Sequence, residues 1–182
     1  IEVIKDLELT PVGLPIGIYL ETDGILVIGV GNFVSLSGQE VSPSQYLLKT
    51  GDYITALDGR EGTGKKAFIR DVENSGGDAV TVRRGEEEFD VTVEPVQNQS
   101  GKYKLGIWVR DNAQGVGTMT FVDSEGNFGA LGHGINDVDT SLVMKLDRGT
   151  LYRTEIIAIK KGTKGNPGEM TGMIEYSDRN IL

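Results

Sequence analysis

The apolar residues of this chain come in runs of strand length separated by turn chemistry, and that spacing limits its folds more than any other feature. Ile16 to Leu20 is apolar with interspersed glycine, and Glu21-Thr22-Asp23-Gly24 supplies turn residues before Ile25 to Val30. Tyr53 to Leu57 runs into the hairpin dipeptide Asp58-Gly59. Ala79 to Arg83 and Phe89 to Val93 alternate and are joined by Arg84-Gly85-Glu86-Glu87. Two segments read as helix. In Ser42-Pro43-Ser44-Gln45-Tyr46-Leu47-Leu48, Ser42 is placed to cap and Pro43 to take the first helical position, with Thr50-Gly51-Asp52 as the stop. Lys65 to Asn74 has apolar residues at 68, 69 and 72, and Ser75-Gly76-Gly77 closes it.

Beyond residue 97 no helix of useful length is expected, which predicts an all-β unit. Tyr103 to Arg110 alternates and places Trp108 on a buried face. Gly115 to Val122 is a second strand, Asp123-Ser124-Glu125-Gly126-Asn127 a hairpin turn, and Phe128 to Ile135 the next apolar stretch. Gly149 to Arg153 and Glu155 to Ile159 are two further strands, and Lys160 to Met170 reads as a loop. No apolar stretch exceeds strand length, so none is read as a membrane span or a signal peptide. The chain begins at Ile1 without an initiator Met, the expectation for a processed product or an excised segment.

Charge divides the chain. Residues 1–97 carry 8 basic and 17 acidic side chains, whereas residues 98–182 carry 10 of each, so the net −9 belongs to the first part. The change falls at Val96-Gln97-Asn98-Gln99-Ser100-Gly101, a polar, turn-rich segment that reads as a linker between domains 1–97 and 98–182. The acidic balance argues against nucleic-acid or anionic-membrane partners, which need clustered cations. The absence of Cys removes disulfides, thiolate nucleophiles and Cys-based zinc sites, and a single His removes multi-histidine metal sites. Glu86-Glu87-Glu88 falls at a hairpin tip, where water screens like charges, and no EF-hand spacing accompanies it. Neither a metal nor a cofactor is expected.

The order of elements up to residue 97 resembles a PDZ domain. Pro15-Ile16-Gly17-Ile18 is similar to that family's carboxylate-binding loop, where glycine lets a ligand carboxylate approach successive backbone N–H groups. Leu48-Lys49-Thr50-Gly51-Asp52-Tyr53-Ile54 through Asp58-Gly59 resembles the family's Gly-Asp-apolar segment, with Asp58 where Asn is usual. The resemblance implies that a C-terminal peptide adds as a strand beside Ile18 to Leu20, against the helix ridge that includes Ile69 and Val72. Read alone, Ile16 and Ile18 are ordinary strand core residues; it is the whole ordered set of elements that favours the PDZ-like reading.

His133 is the side chain of the second part with obvious chemical capacity. Gly132 and Gly134 remove bulk on either side, and imidazole exchanges protons near neutral pH. Taken by themselves, the residues favour a structural or surface histidine. Asp137 and Asp139 lie close enough in sequence to orient it, or they form the short polar turn in which they sit, the role favoured here.

Three segments carry a more specific resemblance: Gly115-Val116-Gly117-Thr118-Met119-Thr120-Phe121, Phe128-Gly129-Ala130-Leu131-Gly132-His133-Gly134-Ile135 with Asp137 and Asp139-Thr140, and Lys161-Gly162-Thr163-Lys164-Gly165-Asn166-Pro167-Gly168-Glu169. Together with Gly101-Lys102-Tyr103 through Arg110-Asp111 they are similar to the stage IV sporulation protein B serine peptidase family, in which a PDZ domain precedes a serine peptidase domain. That resemblance implies that His133 is the general base of a signalling serine endopeptidase acting between forespore and mother-cell membranes. It further implies that the enzyme processes itself and cleaves a regulatory protein, which leads to sigma-factor activation, and that the PDZ domain binds peptide segments of substrate or enzyme.

The family's nucleophilic Ser lies in a Gly-Ser-rich segment further downstream. None of Ser100, Ser124, Ser141 and Ser177 has a Gly-x-Ser-x-Gly setting, and the triad acid is not assignable either. The chain is therefore expected to be mainly β with two short helices: a PDZ-like domain, then part of a chymotrypsin-like β-barrel that is truncated at its C-terminal side and inactive alone. An incomplete barrel exposes strand edges and favours self-association. The competing reading is a non-catalytic PDZ-type interaction module with a scaffolding β domain.

Overall fold

A computed structural model describes residues 8–77 and 79–182. In chain order the elements are β1 (Leu9–Val30), β2 (Phe33–Val34), β3 (Glu40–Val41), β4 (Tyr53–Leu57), β5 (Arg60–Glu61), α1 (Lys65–Ser75), β6 (Ala79–Arg84), β7 (Glu87–Thr92), β8 (Val96–Gln97), β9 (Tyr103–Lys104), β10 (Ile107–Asp123), β11 (Phe128–Gly129), β12 (Leu146–Lys160) and β13 (Glu169–Ile174), followed by a 3-10 turn at Asp178–Asn180. The protein is mainly β, as its short apolar runs predict. Among the described residues no helix is long and apolar enough to cross a membrane.

The chain forms two compact units, and they are not the contiguous parts 1–97 and 98–182. One, here the core unit, comprises Glu21–Asn112 and Ile135–Asp147; the other, the ribbon unit, comprises residues 8–20, Ala113–Gly134 and Arg148–Leu182. Charge and turn composition mark a linker near residue 98, but the segment after it folds back. Leu105 is buried in the same cluster as Phe68 and Val72, so burial assigns residues 103–109 to the core unit.

In the core unit β4 pairs antiparallel with β1 (Ile25↔Ile54, Leu26↔Tyr53) and with β6, and β6 pairs with β7. Val80 and Val82 are fully buried while Thr81 and Arg83 between them are not, the alternation that a sheet with one covered face requires. Helix α1 covers that face with Phe68 and Val72; burying two such side chains contributes roughly 1.5–3 kcal/mol each. Asp111 supplies the N-terminal cap that Gly64 lacks, accepting the Lys65 N–H at 3.0 Å. Gly76 ends the helix at φ 64°, with its N–H on the Val72 carbonyl.

The second expected helix, Ser42 to Leu48, is absent. Ser42 donates to the Gly31 carbonyl and buried Ser44 to the Leu105 carbonyl at 2.7 Å, so neither hydroxyl caps a helix. Tyr46 at φ 70° breaks the helical path and leaves a series of turns. One α-helix, not two, is present among the described residues.

Several expected breaks are also missing. Glu21 to Gly24 does not end a strand, because β1 continues through it: Asp23 N–H donates to the Lys145 carbonyl and Val27 N–H to the Asp52 carbonyl. Asp111 to Gln114 likewise stays extended inside β10, and Gly149 to Ile159 is the single strand β12. Long-range pairing overrides local turn preference at each point. Met170 to Ile174, partly read as loop, belongs to β13, whose register with β12 runs from Thr154↔Ile174 to Lys160↔Glu169.

In the ribbon unit the Asp123 turn forms as read: its carboxylate accepts the N–H groups of Glu125 and Asn127, and Phe121 and Val122 pair with Gly129 and Phe128. Tyr152 and Tyr176 meet edge to face with ring centroids 5.2 Å apart, and Tyr19 and Tyr176 do so at 5.6 Å. Ile16 is the single buried hydrophobic side chain of this unit among the described residues.

Candidate functional site

His133 lies on irregular backbone after β11, exposed, with open space beside Gly132. Its Nδ1 is 2.7 Å from the carbonyl oxygen of Gly134. A carbonyl only accepts, so Nδ1 carries the proton and, in the neutral ring, Nε2 keeps the lone pair. An imidazole fixed in this way presents a base to solvent through Nε2, the geometry that general-base chemistry needs.

The two acids that follow it have other partners. Asp137 is buried, and its Oδ1 accepts the N–H groups of Asp139 and Thr140 at 3.0 and 2.9 Å. Its Oδ2 pairs with Arg110, whose second terminal nitrogen reaches Asp139 at 2.7 Å. Burial alone would raise the Asp137 carboxyl, but the N–H groups of Thr140 and Asp139 and the Arg110 charge outweigh it and hold the group below its ordinary range. Both acids therefore serve the turn, the favoured role, and an ion pair that the sequence reading missed. The available signal was the Asp-x-Asp spacing, which matches the fork of a guanidinium, but nothing local names Arg110 as its partner.

Pro15, Ile16, Gly17 and Ile18 stand inside β1 and not in a loop, which corrects the expected turn. Ile16 is buried, and a Cβ on Gly17 would come within 2.7 Å of Ile174, so the glycine here admits a close side chain. Ile69 and Val72 stand on α1, where Val72 is buried and Ile69 is 40% exposed. Both line a cavity of about 420 Å³, with Phe33 and Phe68 beside them and Tyr103 to Val109 along its wall. The structure thus gathers Ile69 and Val72 at one cavity, whose lining does not include Pro15 to Ile18. Trp108, expected to be buried, is 57% exposed; its ring lies against the backbone at Gly31, where a Cβ would approach it to 2.2 Å.

Residues 101–182, which hold His133, Asp137 and Arg110, match the family model described as SpoIVB peptidase S55. No curated protein and no solved structure matches the chain.

Proposed function

We propose, from the match of residues 101–182 to the family model described as SpoIVB peptidase S55, that this chain is the histidine-bearing part of a sporulation-signalling serine endopeptidase, with His133 as general base. The observation that carries the reading is the 2.7 Å contact from His133 Nδ1 to the Gly134 carbonyl, which leaves Nε2 to take a proton. In acyl transfer Nε2 removes the proton of a serine hydroxyl as that oxygen attacks the scissile carbonyl, then returns it to the departing amine. The Gly134 carbonyl dipole favours the imidazolium that forms between those steps, a part often taken by a carboxylate. The nucleophile and the triad acid are not assigned to residues of this chain.

The finer proposals follow from the family resemblance. The enzyme processes itself, cleaves a regulatory protein between the forespore and mother-cell membranes, and so leads to sigma-factor activation. Its PDZ-like part binds peptide segments of substrate or enzyme. A second reading, a non-catalytic peptide-binding module, is favoured by the cavity that Ile69 and Val72 line.

A fluorophosphonate probe, which labels only an activated serine, tests the first reading. The 182-residue chain is expected to remain unlabelled and to leave casein intact. In a protein that carries these residues together with a reactive serine, labelling is expected to fall at least about 100-fold on His133→Ala, the scale of general-base catalysis. Labelling that survives His133→Ala overturns the assignment of the base.

A further inference from the structure

The chemistry of His133 leaves one family-like segment without a role, Lys161 to Glu169. It forms the tip of the hairpin that β12 and β13 build within the ribbon unit. The tip is a closed turn. Thr163 N–H donates to the Asn166 carbonyl at 2.8 Å and Asn166 N–H to the Thr163 carbonyl at 2.9 Å. Between them Gly165, at φ 83°, takes the left-handed position that such a turn requires.

Beyond Ile156 the two strands lose their cover. Every residue from 157 to 171 is exposed, and among the described residues β13 pairs with β12 alone. Ile159 and Met170 are register partners and therefore share a face of the ribbon. Ile157 and Met173 add exposed apolar surface along the same strands. A two-stranded ribbon buries too little to be stable by itself in water, so apolar side chains gathered near its free end call for a covering surface.

Charge selects that surface. Residues 160–169 carry Lys160, Lys161 and Lys164 against one acid, Glu169. Lys160 takes Glu169 at 3.4 Å, whereas Lys161 and Lys164 have no ion-pair partner among the described residues. The acidic balance of the whole chain argues against an anionic surface, but such a surface senses the charges within a Debye length, about 8–10 Å. At the tip those charges are cationic. Lysines with isoleucine and methionine just behind them suit an anionic bilayer interface, where ammonium groups meet phosphates and apolar side chains enter the headgroup boundary.

We infer that the tip of the β12–β13 hairpin docks on an anionic lipid bilayer, with Lys161 and Lys164 on lipid phosphates and Ile159 and Met170 at headgroup depth. Deeper entry is opposed by the unpaired edge of β13, whose N–H and C=O groups would find no partners in hydrocarbon. The inference goes beyond the assignment of His133 and does not rest on it.

Co-sedimentation of the 182-residue chain with vesicles tests it. Mixed phosphatidylcholine–phosphatidylglycerol vesicles are expected to bind the chain at least about tenfold more tightly than phosphatidylcholine alone. On the mixed vesicles K164Q is expected to weaken binding about fivefold and K161Q/K164Q about 25-fold, the scale of one and of two surface lysines. Ile159→Ser is expected to weaken it about tenfold through the lost apolar contact; if that variant does not fold, Met170→Ser takes its place. K66Q removes the same charge from an exposed position of α1 in the core unit and is expected to bind as the wild type does. No binding at low salt, equal binding to both kinds of vesicle, or binding that survives K161Q/K164Q or the apolar substitution overturns the inference. So does a K66Q chain weakened as much as K164Q. A lipid-free dimer that K161Q/K164Q dissociates in sedimentation velocity overturns it as well, since a second copy then covers the hairpin.

Discussion

The carboxylate of Asp52 is 1% exposed, and three donors converge on it: Arg84 Nε and Nη2, each at 2.7 Å, and the N–H of Lys49 at 2.8 Å. The hydrogen bonds to Asp52 and its negative charge favour the cationic form and raise the Arg84 guanidinium further above its ordinary range. Arg84 also donates to the Leu47 carbonyl and lies over the Phe89 ring, so one side chain joins the turns before β4 to the β6–β7 hairpin. Removing a single partner leaves a buried charge without its counter-ion. Arg84→Ala is expected to lower stability by about 2–3 kcal/mol, below the 3–5 typical of fully buried pairs because a third of the Arg84 side chain already meets water. Urea denaturation with an unchanged slope would measure it, and a loss under about 0.5 kcal/mol, the scale of exposed pairs, would refute the account.

At the level of elements, α1 faces two ways. Phe68 and Val72 bind it to the sheet, while Ile69 and the strand-like segment 103–109 leave an apolar cavity along its side. Ion pairs from Lys102 and Lys104 to Glu73 and the Asp111 cap at Lys65 hold that segment along the helix from its last turn to its first. If the cavity takes the apolar side chains of an extended peptide, Trp108 at its edge reports it, since the chain has one tryptophan. Titration with peptides bearing a free C-terminus is expected to shift the Trp108 emission saturably. Ile69→Asp is expected to weaken binding at least tenfold, because about 1.4 kcal/mol is lost when a charge replaces the apolar wall. An amidated peptide that binds as well as the free acid would remove the PDZ-type carboxylate reading, and no shift with any peptide would remove the cavity as a site.

Across the whole molecule apolar burial is uneven. Ile25, Val27, Ile54, Leu57, Val80, Val82 and their neighbours form the cluster of the core unit, whereas the ribbon unit buries Ile16 and leaves Ile157, Ile159 and Met173 at 60–69% exposure. The strands of the ribbon unit are thus held mainly by backbone pairing and by the tyrosine contacts. Backbone hydrogen bonds without apolar cover open readily, since water replaces them at little net cost. Hydrogen exchange is expected to be slowest at Ile54, Leu57, Val80 and Val82, with β12 and β13 exchanging about 100-fold faster or more. Equal protection in both sets would show that the burial pattern does not set local stability. Among the described acidic residues of the first part, Glu86, Glu87 and Glu88 are exposed, where water screens their like charges.

The sequence by itself determined whatever depends on neighbours in the chain. Apolar runs of strand length gave β4, β6 and β7, the spacing of Phe68, Ile69 and Val72 gave α1 with its Gly76 stop, and Asp58-Gly59 and Asp123 to Asn127 gave their turns. His133 was singled out by its chemistry and its glycines, and the second-half motifs pointed to the peptidase family that residues 101–182 match. Tertiary structure alone decided the rest, because each remaining feature depends on a partner far along the chain. Ser44 bonds Leu105 across 61 positions and so cannot support a helix; Asp23 bonds Lys145 and so does not turn; Arg110 meets Asp137 across 27. The division into units has the same cause: turn composition marks where a chain can bend, but the burial of Leu105 beside Phe68 and Val72 decides which side of the bend a residue belongs to.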